Sequence, residues 1–451
     1  MIQPELAILL WVPISVALMM DRNAARGFTI AMLGSLLLLP SGVAADMLGA
    51  PQLTKTGAAG IGILLGTAIF HARLMFQFRP RWFDALMVAM LGSMVFTSWD
   101  NGLGIYDGVS AALYEALDVL TIWLAARIIL YRPEALKTFL LGVAISGAMY
   151  TPLVVWEWRL SPQIHYTIYG EFQHQFAQFH RWGFFRPVVC FPHALDLGRF
   201  MALAAFLAAL PLRRDLGRII PGGQLLVAAP LLSLALSMSL GPYILFAALC
   251  VGFAILRVPQ MRWAMYALPA CAVALVAVLA SGGNPYARVF ETAHTINADR
   301  ANSFQYRIDA LEEYQAVIVE RPWFGHGGWS RGRLSHRATD SDLLIRMLKF
   351  GAVGAGFYYA WWGMALVSVA SLTQRTRGVP FERIVRALAV AMAIGLAIST
   401  IDRALDPQIV VAVSSIVGIE GLIRSGRLTG RQNARAIPAT AKTTQSSTAT
   451  A

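Results

Sequence analysis

The sequence predicts an all-α protein that crosses a membrane many times, through about 12–13 transmembrane helices. The first observation is composition: 57% of the 451 residues are hydrophobic and 14% are charged, whereas soluble domains carry about 25% charged residues. The second is the recurrence of apolar runs near the length of about 20 residues that a helix needs to cross a bilayer. The third is that many of the 37 Lys and Arg residues fall between alternate runs, as in cytoplasmic loops.

Thirteen apolar runs are candidate spans. The stretch 220–256 is too long for one span, and Ser237, Ser239, Gly241 and Pro242 mark a turn within it, so we predict a helical hairpin there. The runs lie at 6–20, 27–48, 57–71, 83–98, 109–131, 136–156, 194–212, 220–238, 240–256, 263–281, 343–372, 387–402 and 407–423.

Basic residues set the predicted orientation. If the long loop 282–342 is placed outside, the loops that alternate with it lie inside and hold most of the Arg and Lys residues, which is the pattern of the positive-inside rule. The loop 157–193 then also lies outside. The N-terminus is predicted to be outside, without a removable signal peptide, and the C-terminus to be cytoplasmic. The inside residues include Arg22, Arg26, Arg73, Arg79, Arg81, Arg132, Lys137, Arg213, Arg214, Arg218, Arg257, Arg262, Arg375, Arg377 and Arg383.

The predicted organisation has six parts. The last part is rich in Ala, Thr and Ser and is expected to be disordered. The parts are the N-terminal transmembrane helices (1–156), a first outside loop (157–193), the central helices (194–281), a large and partly helical outside loop (282–342), the C-terminal helices (343–423) and a cytoplasmic tail (424–451).

The cysteine and histidine patterns predict neither a metal ion nor a cofactor. Cys190, Cys250 and Cys271 have no metal-site spacing and are interpreted as packing residues. The histidines of the first outside loop also lack the spacing of a zinc site. Because topology accounts for most of the basic residues, no nucleic-acid partner is predicted.

The large outside loop contains a predicted helix and an Arg-rich stretch. Ser303 is placed to cap a helix that runs to about Glu320, and Pro322 ends it. Between 321 and 337 the chain has four Arg residues and no acidic residue. Arg presents a fixed fork of donors that suits phosphate oxygens, so an anionic ligand is predicted here. Pairing of these arginines with the acidic residues that precede them is the alternative.

A Gly-rich turn within this stretch carries Trp323 and His326. Aromatic side chains in such a turn offer a surface on which a sugar can stack. Aromatic residues also gather at membrane interfaces without any ligand, and this alternative stays open.

Four features together resemble the O-antigen ligase and polymerase superfamily. They are Arg307 followed at the fourth position by Leu311, the turn Pro-Trp-Phe-Gly-His-Gly at 322–327, Asp340 separated by ten residues from Gly351, and the segment 185–198 with the sequence Phe-Arg-Pro near its start. The many-span layout, with a long outside loop before the last spans, is also similar to that family.

This resemblance implies glycan transfer on the periplasmic face of a bacterial inner membrane. The donor would be a glycan on undecaprenyl pyrophosphate, and the acceptor a glycan or the lipid A core. A hydroxyl of the acceptor would attack the anomeric carbon with inversion, without a metal ion. By position, Arg186 and Arg307 match the pyrophosphate-binding arginines, with Arg199 or Arg321 assisting. Other polysaccharide-assembly proteins are candidate partners.

The sequence departs from the ligases at one position. They carry a histidine that ten residues separate from the glycine, where this chain has Asp340, with His336 four residues earlier. Either side chain is a candidate general base toward a sugar hydroxyl. Alternatively, Asp340 or Asp342 only caps the helix that follows. The departure favours a polymerase, or a ligase with another acceptor.

Glu115 and Asp118 lie three residues apart on one face of the predicted span 109–131. Ionisable groups in spans are usually functional or paired. They could face a sugar cavity, pair with an arginine such as Arg199, or relay protons in the alternative function, a transporter or flippase for an anionic or lipid-linked sugar. Asp196 and Arg199 lie three residues apart and are expected to pair with each other.

Overall fold

The computed structural model describes most of the chain. The described residues are 1–47, 49–82, 84–173, 176–181, 183–219, 223, 225–256, 263–283, 309, 312–327, 341–376 and 381–400. The predicted span 407–423, the tail 424–451, and the site candidates Arg307, His336 and Asp340 lie outside them.

The described residues are mostly helical, as predicted. Residues 312–320 are also helical, so the predicted helix of the large loop ends at Glu320, before Pro322. The helices are α1 (Pro4–Leu18), α2 (Ala24–Leu38), α3 (Lys55–Phe70), α4 (Ala72–Met75), α5 (Asp84–Asp100), α6 (Ile105–Glu115), α7 (Thr121–Ile129), α8 (Pro133–Leu160), α9 (Ile164–Tyr169), α10 (Ala194–Ala209), α11 (Arg213–Ile219), α12 (Leu225–Leu236), α13 (Leu240–Ile255), α14 (Ala264–Ala280), α15 (Asp342–Arg375) and α16 (Glu382–Ser399).

The chain is a membrane protein built from apolar helices. Within the described residues, three helices are long and apolar enough to cross a membrane, namely Ile105–Ile129, Pro133–Leu160 and Asp342–Thr373. A fourth span results if α10 and α11, which meet at an 80° bend, are counted as one. Six further apolar helices are shorter. The first of the three long helices continues from α6 to α7 through a π-helical turn at Ala116–Leu120.

Twelve of the thirteen predicted spans coincide with helices. The hairpin predicted within 220–256 is confirmed, because α12 ends at Leu236 and α13 begins at Leu240. The prediction for 27–48 was wrong at its C-terminal end. Helix α2 stops at Leu38, and Gly42 adopts a φ of 83° in the segment that follows.

That segment forms a short antiparallel hairpin instead of a last helical turn. Its strands are β1 (Ala45–Met47) and β2 (Ala50–Leu53), and Ala45 pairs with Leu53. Thr54 then caps α3, because its side chain accepts a hydrogen bond from the backbone N–H of Gly57 at 3.0 Å. The hairpin therefore delivers the chain to the start of α3.

Small residues allow α1 and α3 to approach closely. A Cβ at Gly62 would lie 2.5 Å from the Cβ of Ser15, and one at Gly66 would lie 2.6 Å from the Cβ of Met19. Without a hydrophobic driving force between helices in lipid, such close van der Waals contact is what holds helices together.

The helix bundle has two ends, and each contains a different set of connections between helices. We call the first the loop end. It contains the residues that join α2 to α3, α5 to α6, α8 to α10 and α12 to α13, together with residues 312–327. Contacts bring these together: Ser41 donates to the carbonyl of Cys190, and Asn101 Nδ2 donates to the carbonyl of Gly325 at 3.0 Å.

The opposite end, which we call the basic end, contains the residues that join α1 to α2, α3 to α5, α7 to α8 and α10 to α12. Lys137 Nζ lies 2.6 Å from Asp215 Oδ1, and the His71 ring nitrogen Nε2 lies 3.0 Å from the carbonyl of Met19. These contacts join the segments that the charge pattern assigned to one side of the membrane.

Candidate functional site

Arg186 reaches the loop end from a short β-hairpin. Strands β3 (His180–Arg181) and β4 (Phe184–Phe185) pair antiparallel, and the backbone N–H of Arg186 donates to the carbonyl of Phe179 at 2.6 Å. The side chain is buried, and its Nη2 donates to the hydroxyl of Ser239 at 2.6 Å. The guanidinium group therefore lies at the break between α12 and α13.

A buried carboxylate fixes the turn that follows Arg186. Glu157, near the end of α8, is 1% exposed. Its Oε2 accepts from the backbone N–H groups of Val188 and Val189 at 2.8 and 2.7 Å, and its Oε1 accepts from that of Ile164 at 3.1 Å. Val189 has a positive φ of 52°, which the surrounding contacts hold in place. Sequence reasoning missed Glu157, whose only signal is an acidic residue at the end of an apolar run.

Arg199 is the second buried arginine of the loop end. Its Nη1 lies 3.3 Å from Asp196 Oδ1, which confirms the predicted pair on α10. Gly198 packs against α13 so closely that a Cβ there would lie 2.5 Å from Pro242 Cγ. Arg199 therefore follows the residue at which α10 contacts the start of α13. Arg186 contacts the same region, through Ser239 at the break between α12 and α13.

Lys55 is a half-buried cation that the sequence did not single out. It is the first residue of α3, and its ammonium group lies 2.6 Å from Ser41 Oγ and 3.1 Å from the carbonyl oxygen of Cys190. It also bonds to the carbonyls of Leu36 and Leu39 and interacts electrostatically with Asp196. Lys55 therefore ties the end of α2 to the segment before α10.

Cys190 lies in that segment and behaves as a packing residue, as predicted. It is buried, and burial raises the pKa of its thiol to about 11. The thiol stays protonated at neutral pH, so it is a poor nucleophile. Among the described residues, no three His, Cys, Asp or Glu side chains are arranged to hold a metal ion.

A second group of candidates surrounds a break in α15. The helix is interrupted at Gly351, whose φ is 62° and ψ is −168°. The turn 321–327 fills the break with backbone hydrogen bonds. The N–H groups of His326 and Gly327 donate to the carbonyls of Leu348 and Lys349 at 2.8 and 2.9 Å. In return, the N–H groups of α15 beyond the break donate to the turn.

These returning bonds run from Ala352 to the Pro322 carbonyl and from Val353 to the Trp323 carbonyl, at 2.8 and 3.0 Å. Gly325 and Gly351 have positive φ and touch each other, because a Cβ at Gly325 would lie 2.6 Å from the Gly351 nitrogen. Irregular backbone at membrane depth needs such replacement partners. The Gly-rich turn and the distant glycine are thus two halves of one structural unit.

The side chains of the turn have different environments. His326 Nε2 bonds to the carbonyl of Val317 at 2.8 Å, so this nitrogen is engaged by backbone. Arg321 pairs with Asp100 at 3.3 Å in an exposed position. Trp323 is 65% exposed, which leaves its ring accessible. Of the three, Trp323 is the side chain best placed to contact a ligand or lipid.

Arg346 is the most strongly engaged cation at this end. Its Nη2 lies 3.1 Å from Glu115 Oε1 and its Nε 3.1 Å from Asp342 Oδ2. The guanidinium carbon lies 3.7 Å from the centre of the buried Tyr358 ring, in a cation–π contact. Of the alternatives for Glu115, pairing with an arginine is the one observed, although the partner is Arg346, 231 residues away, and not Arg199. Such a distant pairing leaves no spacing signal.

The alternative in which Asp342 caps the last long helix is not observed. Ser341 is the N-cap of α15, and its hydroxyl accepts from the Leu344 N–H at 3.3 Å. Asp342, one of the two residues expected to cap, lies in the first turn, where it bonds Arg346. A hydroxyl one position earlier reaches the free N–H groups of the first turn better.

Ionisable side chains connect the two groups across the loop end. Glu115 interacts electrostatically with Asp118, and Asp118 accepts a hydrogen bond from the hydroxyl of Thr54 at 2.5 Å. Thr54 precedes Lys55, which interacts with Asp196. Charged residues thus occur at several points between the α12–α13 break and the α15 break, and we call them together the charged band.

Comparison with known families identifies a segment that contains the α12–α13 break and ends shortly before the break of α15 at Gly351. The family model described as O-antigen ligase matches residues 225–346. Residues 225–346 are similar to an O-antigen ligase domain, and we refer to them by that name. This match confirms the resemblance drawn from the motifs, and such a domain is characteristic of glycosyl-transferring enzymes. No curated protein matches the sequence significantly.

The O-antigen ligase domain is joined to the rest of the chain by the charged band. Arg186 lies before the matched residues, and it donates to Ser239 inside them. Glu115 also lies before them, and it pairs with Arg346 at their end. Two candidates chosen from sequence are thus bonded directly to the domain.

Proposed function

We propose that the chain transfers a glycan from undecaprenyl pyrophosphate to an acceptor sugar at the loop end, and that this end faces the periplasm. The observation that carries the proposal is the hydrogen bond between the buried Arg186 guanidinium and Ser239 of the O-antigen ligase domain. It holds a permanent cation at a fixed position beside the domain, where the pyrophosphate of a lipid-linked donor would bind.

The chemistry requires such a cation. The acceptor oxygen forms a bond to the anomeric carbon from the face opposite the leaving group, and the bond from that carbon to the pyrophosphate oxygen breaks. The electron pair stays on the lipid pyrophosphate, so negative charge grows there in the transition state. Preorganised donors aimed at this charge lower the barrier. Arg186, with Arg199 nearby in the fold, would supply them without a metal ion.

The acceptor hydroxyl must also lose its proton. We assign this role to Asp340, which immediately precedes the cap of α15 in the sequence, or to His336, four residues before Asp340. A carboxylate or imidazole within hydrogen-bond reach of the hydroxyl can accept the proton as the new bond forms. Arg307 would be a further pyrophosphate ligand, and Arg321 and Trp323 would contact the donor or acceptor sugar.

The orientation follows from the two ends of the bundle. The loops of the basic end contain Arg22, Arg73, Arg132 and Arg213, among others. The positive-inside rule assigns these loops to the cytoplasm and the loop end to the periplasm of a bacterial inner membrane. The departure at Asp340 favours a polymerase, or a ligase whose acceptor differs from the lipid A core.

The test is transfer by the purified full chain in vesicles that contain undecaprenyl-pyrophosphate oligosaccharide. Arg186→Ala should lower product formation about 100-fold or more, the typical effect of removing one preorganised donor. Arg213→Ala, at the basic end, is the matched control and should keep wild-type activity. Added lipid A core separates ligation from self-polymerisation, and a chelator tests metal dependence. Normal activity of Arg186→Ala would refute the role of this cation.

Vesicle uptake of the solute by the same samples provides the test of the alternative. Ion-coupled movement of a sugar without any new glycosidic bond would favour a transporter. A transporter would use Glu115 and Asp118 for coupling. Glu115 is bonded to Arg346 and Asp118 to Thr54, so both carboxylates already have partners within the protein.

A further inference from the structure

The basic end contains an open groove with a volume of about 650 Å³. It is formed where the start of α2, the end of α3 with the start of α4, and the α7–α8 connection meet. It lies at the opposite end of the bundle from the charged band, and nothing in the proposed transfer reaction uses it.

The groove is positively charged. Arg22, Arg73 and Arg132 line it together with His71, and no Asp or Glu is among the lining residues. All three arginines are exposed. Arg132 is held in position, because its Nε donates to the hydroxyl of Tyr131 at 3.1 Å and its guanidinium lies over the Tyr131 ring.

The nearest acidic residues in the chain do not line the groove. Asp21 is engaged at its rim, since it accepts from the backbone N–H of Asn23 at 2.8 Å and pairs with Arg26 at 3.5 Å. Glu134 is exposed in the first turn of α8. The charge facing the groove is therefore net positive, which suits an anionic group.

The groove also has an apolar wall that continues along a span. Ile69 and Phe70, at the end of α3, line it and are 64% and 42% exposed. Leu65 lies four residues before Ile69, on the same face of α3, and is 49% exposed. An exposed apolar stripe thus leads from the arginines along α3 toward the middle of the helix.

We propose that this groove binds an anionic phospholipid, with its phosphate between Arg22, Arg73 and Arg132 and an acyl chain along Leu65 and Ile69. A cationic pocket that joins an apolar stripe at the end of a span recognises both halves of a lipid, whereas a free phosphate would use only the arginines. Basic residues beside transmembrane helices bind anionic headgroups in this way, and each adds to the attraction.

The experiment measures retained lipid. The full-length protein is purified in mild detergent, incubated with equal amounts of cardiolipin, phosphatidylglycerol and phosphatidylcholine, and the bound lipid is quantified by mass spectrometry. The groove variant is Arg22→Gln/Arg73→Gln/Arg132→Gln. The matched control is Arg213→Gln/Arg214→Gln/Arg218→Gln, which removes the same charge from exposed positions of the same end.

The groove variant should retain about tenfold less cardiolipin and phosphatidylglycerol, and the control should retain nearly as much as wild type. Equal loss in both variants would show diffuse attraction and overturn the site, as would no loss in either. Displacement of the lipid by inorganic phosphate at millimolar concentration would assign the groove to a free anion. If the triple variant does not fold, Arg73→Glu reverses one exposed charge in the groove and should show the same selective loss.

Discussion

The cations of the proposed transfer site and those of the groove at the basic end have opposite environments. At the loop end, Arg186, Arg199 and Arg346 are buried and each bonds to a hydroxyl or carboxylate. At the basic end, Arg22 and Arg73 are exposed. Burying a cation costs free energy unless it is paired, so a buried cation is expected where its position is needed for function. An exposed cation stays in contact with water, and its contribution to topology requires only that it lie on the correct side of the membrane.

The comparison also explains why net charge is a poor guide to this protein. The formal charge of +12 sums both kinds of cation. The cations at the loop end are offset locally by acids such as Asp196, Glu115 and Asp342. Ion pairs also occur at the basic end, where Arg26, Arg127 and Lys137 pair with Asp21, Asp84 and Asp215, but arginines such as Arg22, Arg73 and Arg132 are exposed there. The net charge therefore does not show where the paired cations of the proposed transfer site lie.

Removing the carboxylate of Glu157 should give the largest loss of stability. Glu157→Ala leaves three backbone N–H groups without their acceptor and should destabilise the protein on the order of 3 kcal/mol or more. The unfolding midpoint in detergent checks this. Glu134→Ala, an exposed acid at the other end of the same helix, is the control and should leave the midpoint unchanged. Similar shifts for both variants would mean that the loop end is not the more tightly built region.

Substitution at the break of α15 should have the next largest effect. Gly351→Ala introduces a Cβ at a φ of 62°, 2.4 Å from the backbone of Trp323. We expect a destabilisation of about 2–3 kcal/mol, because both the backbone conformation and the contact are unfavourable. Limited proteolysis within the turn 321–327 should also become faster, because the turn separates from the helix.

The control for this substitution lies in the same helix. Gly356 has a helical backbone conformation, and a Cβ added there would meet no neighbouring atom within 4 Å. Gly356→Ala should therefore be neutral or stabilise by up to about 1 kcal/mol. A neutral Gly351→Ala would show that the turn and the helix break are not one unit.

Protonation of His165 should have the smallest effect. This residue of α9 bonds the Glu171 carbonyl at 2.7 Å through Nδ1 and accepts from the Ser41 N–H at 3.2 Å through Nε2, so it is neutral in the folded protein. Burial lowers its pKa below the ordinary value. Stability from this residue is therefore complete above about pH 6.5 and declines as pH falls, because the unfolded chain binds the proton first.

His165→Gln should remove this part of the pH dependence. The thermal midpoints of wild type and variant, compared at about pH 7.5 and about pH 5, check it. The thermal midpoint of the wild type should fall more toward acidic pH than that of the variant. Parallel curves would show that His165 does not titrate between the folded and unfolded states.

The helices could be predicted from the sequence because bilayer thickness and the cost of unpaired backbone groups constrain them strongly. The break at Ser237–Pro242 and the Asp196–Arg199 pair could also be predicted, because the residues that form each of them lie close together in the sequence. The hairpin of β1 and β2 was missed, because apolar residues such as Val43, Ala45 and Met47 continue the run beyond α2.

The site was only partly predictable. Arg186 was found through its motif, yet its partner Ser239 lies 53 residues away. Arg346 and Lys55 were missed because their partners come from distant helices, which no single-sequence spacing reveals. Arg307, His336 and Asp340 remain predictions from sequence and lie outside the described residues.

The most direct test of the central claim is a comparison of kcat and KM for wild type and Arg186→Lys, with a lipid-linked oligosaccharide as donor. Lysine keeps the charge but loses the planar fork of donors. If Arg186 stabilises the leaving pyrophosphate, kcat should fall at least about tenfold while KM changes little, the signature of an interaction made in the transition state. An unchanged kcat, with or without a higher KM, would contradict the claim.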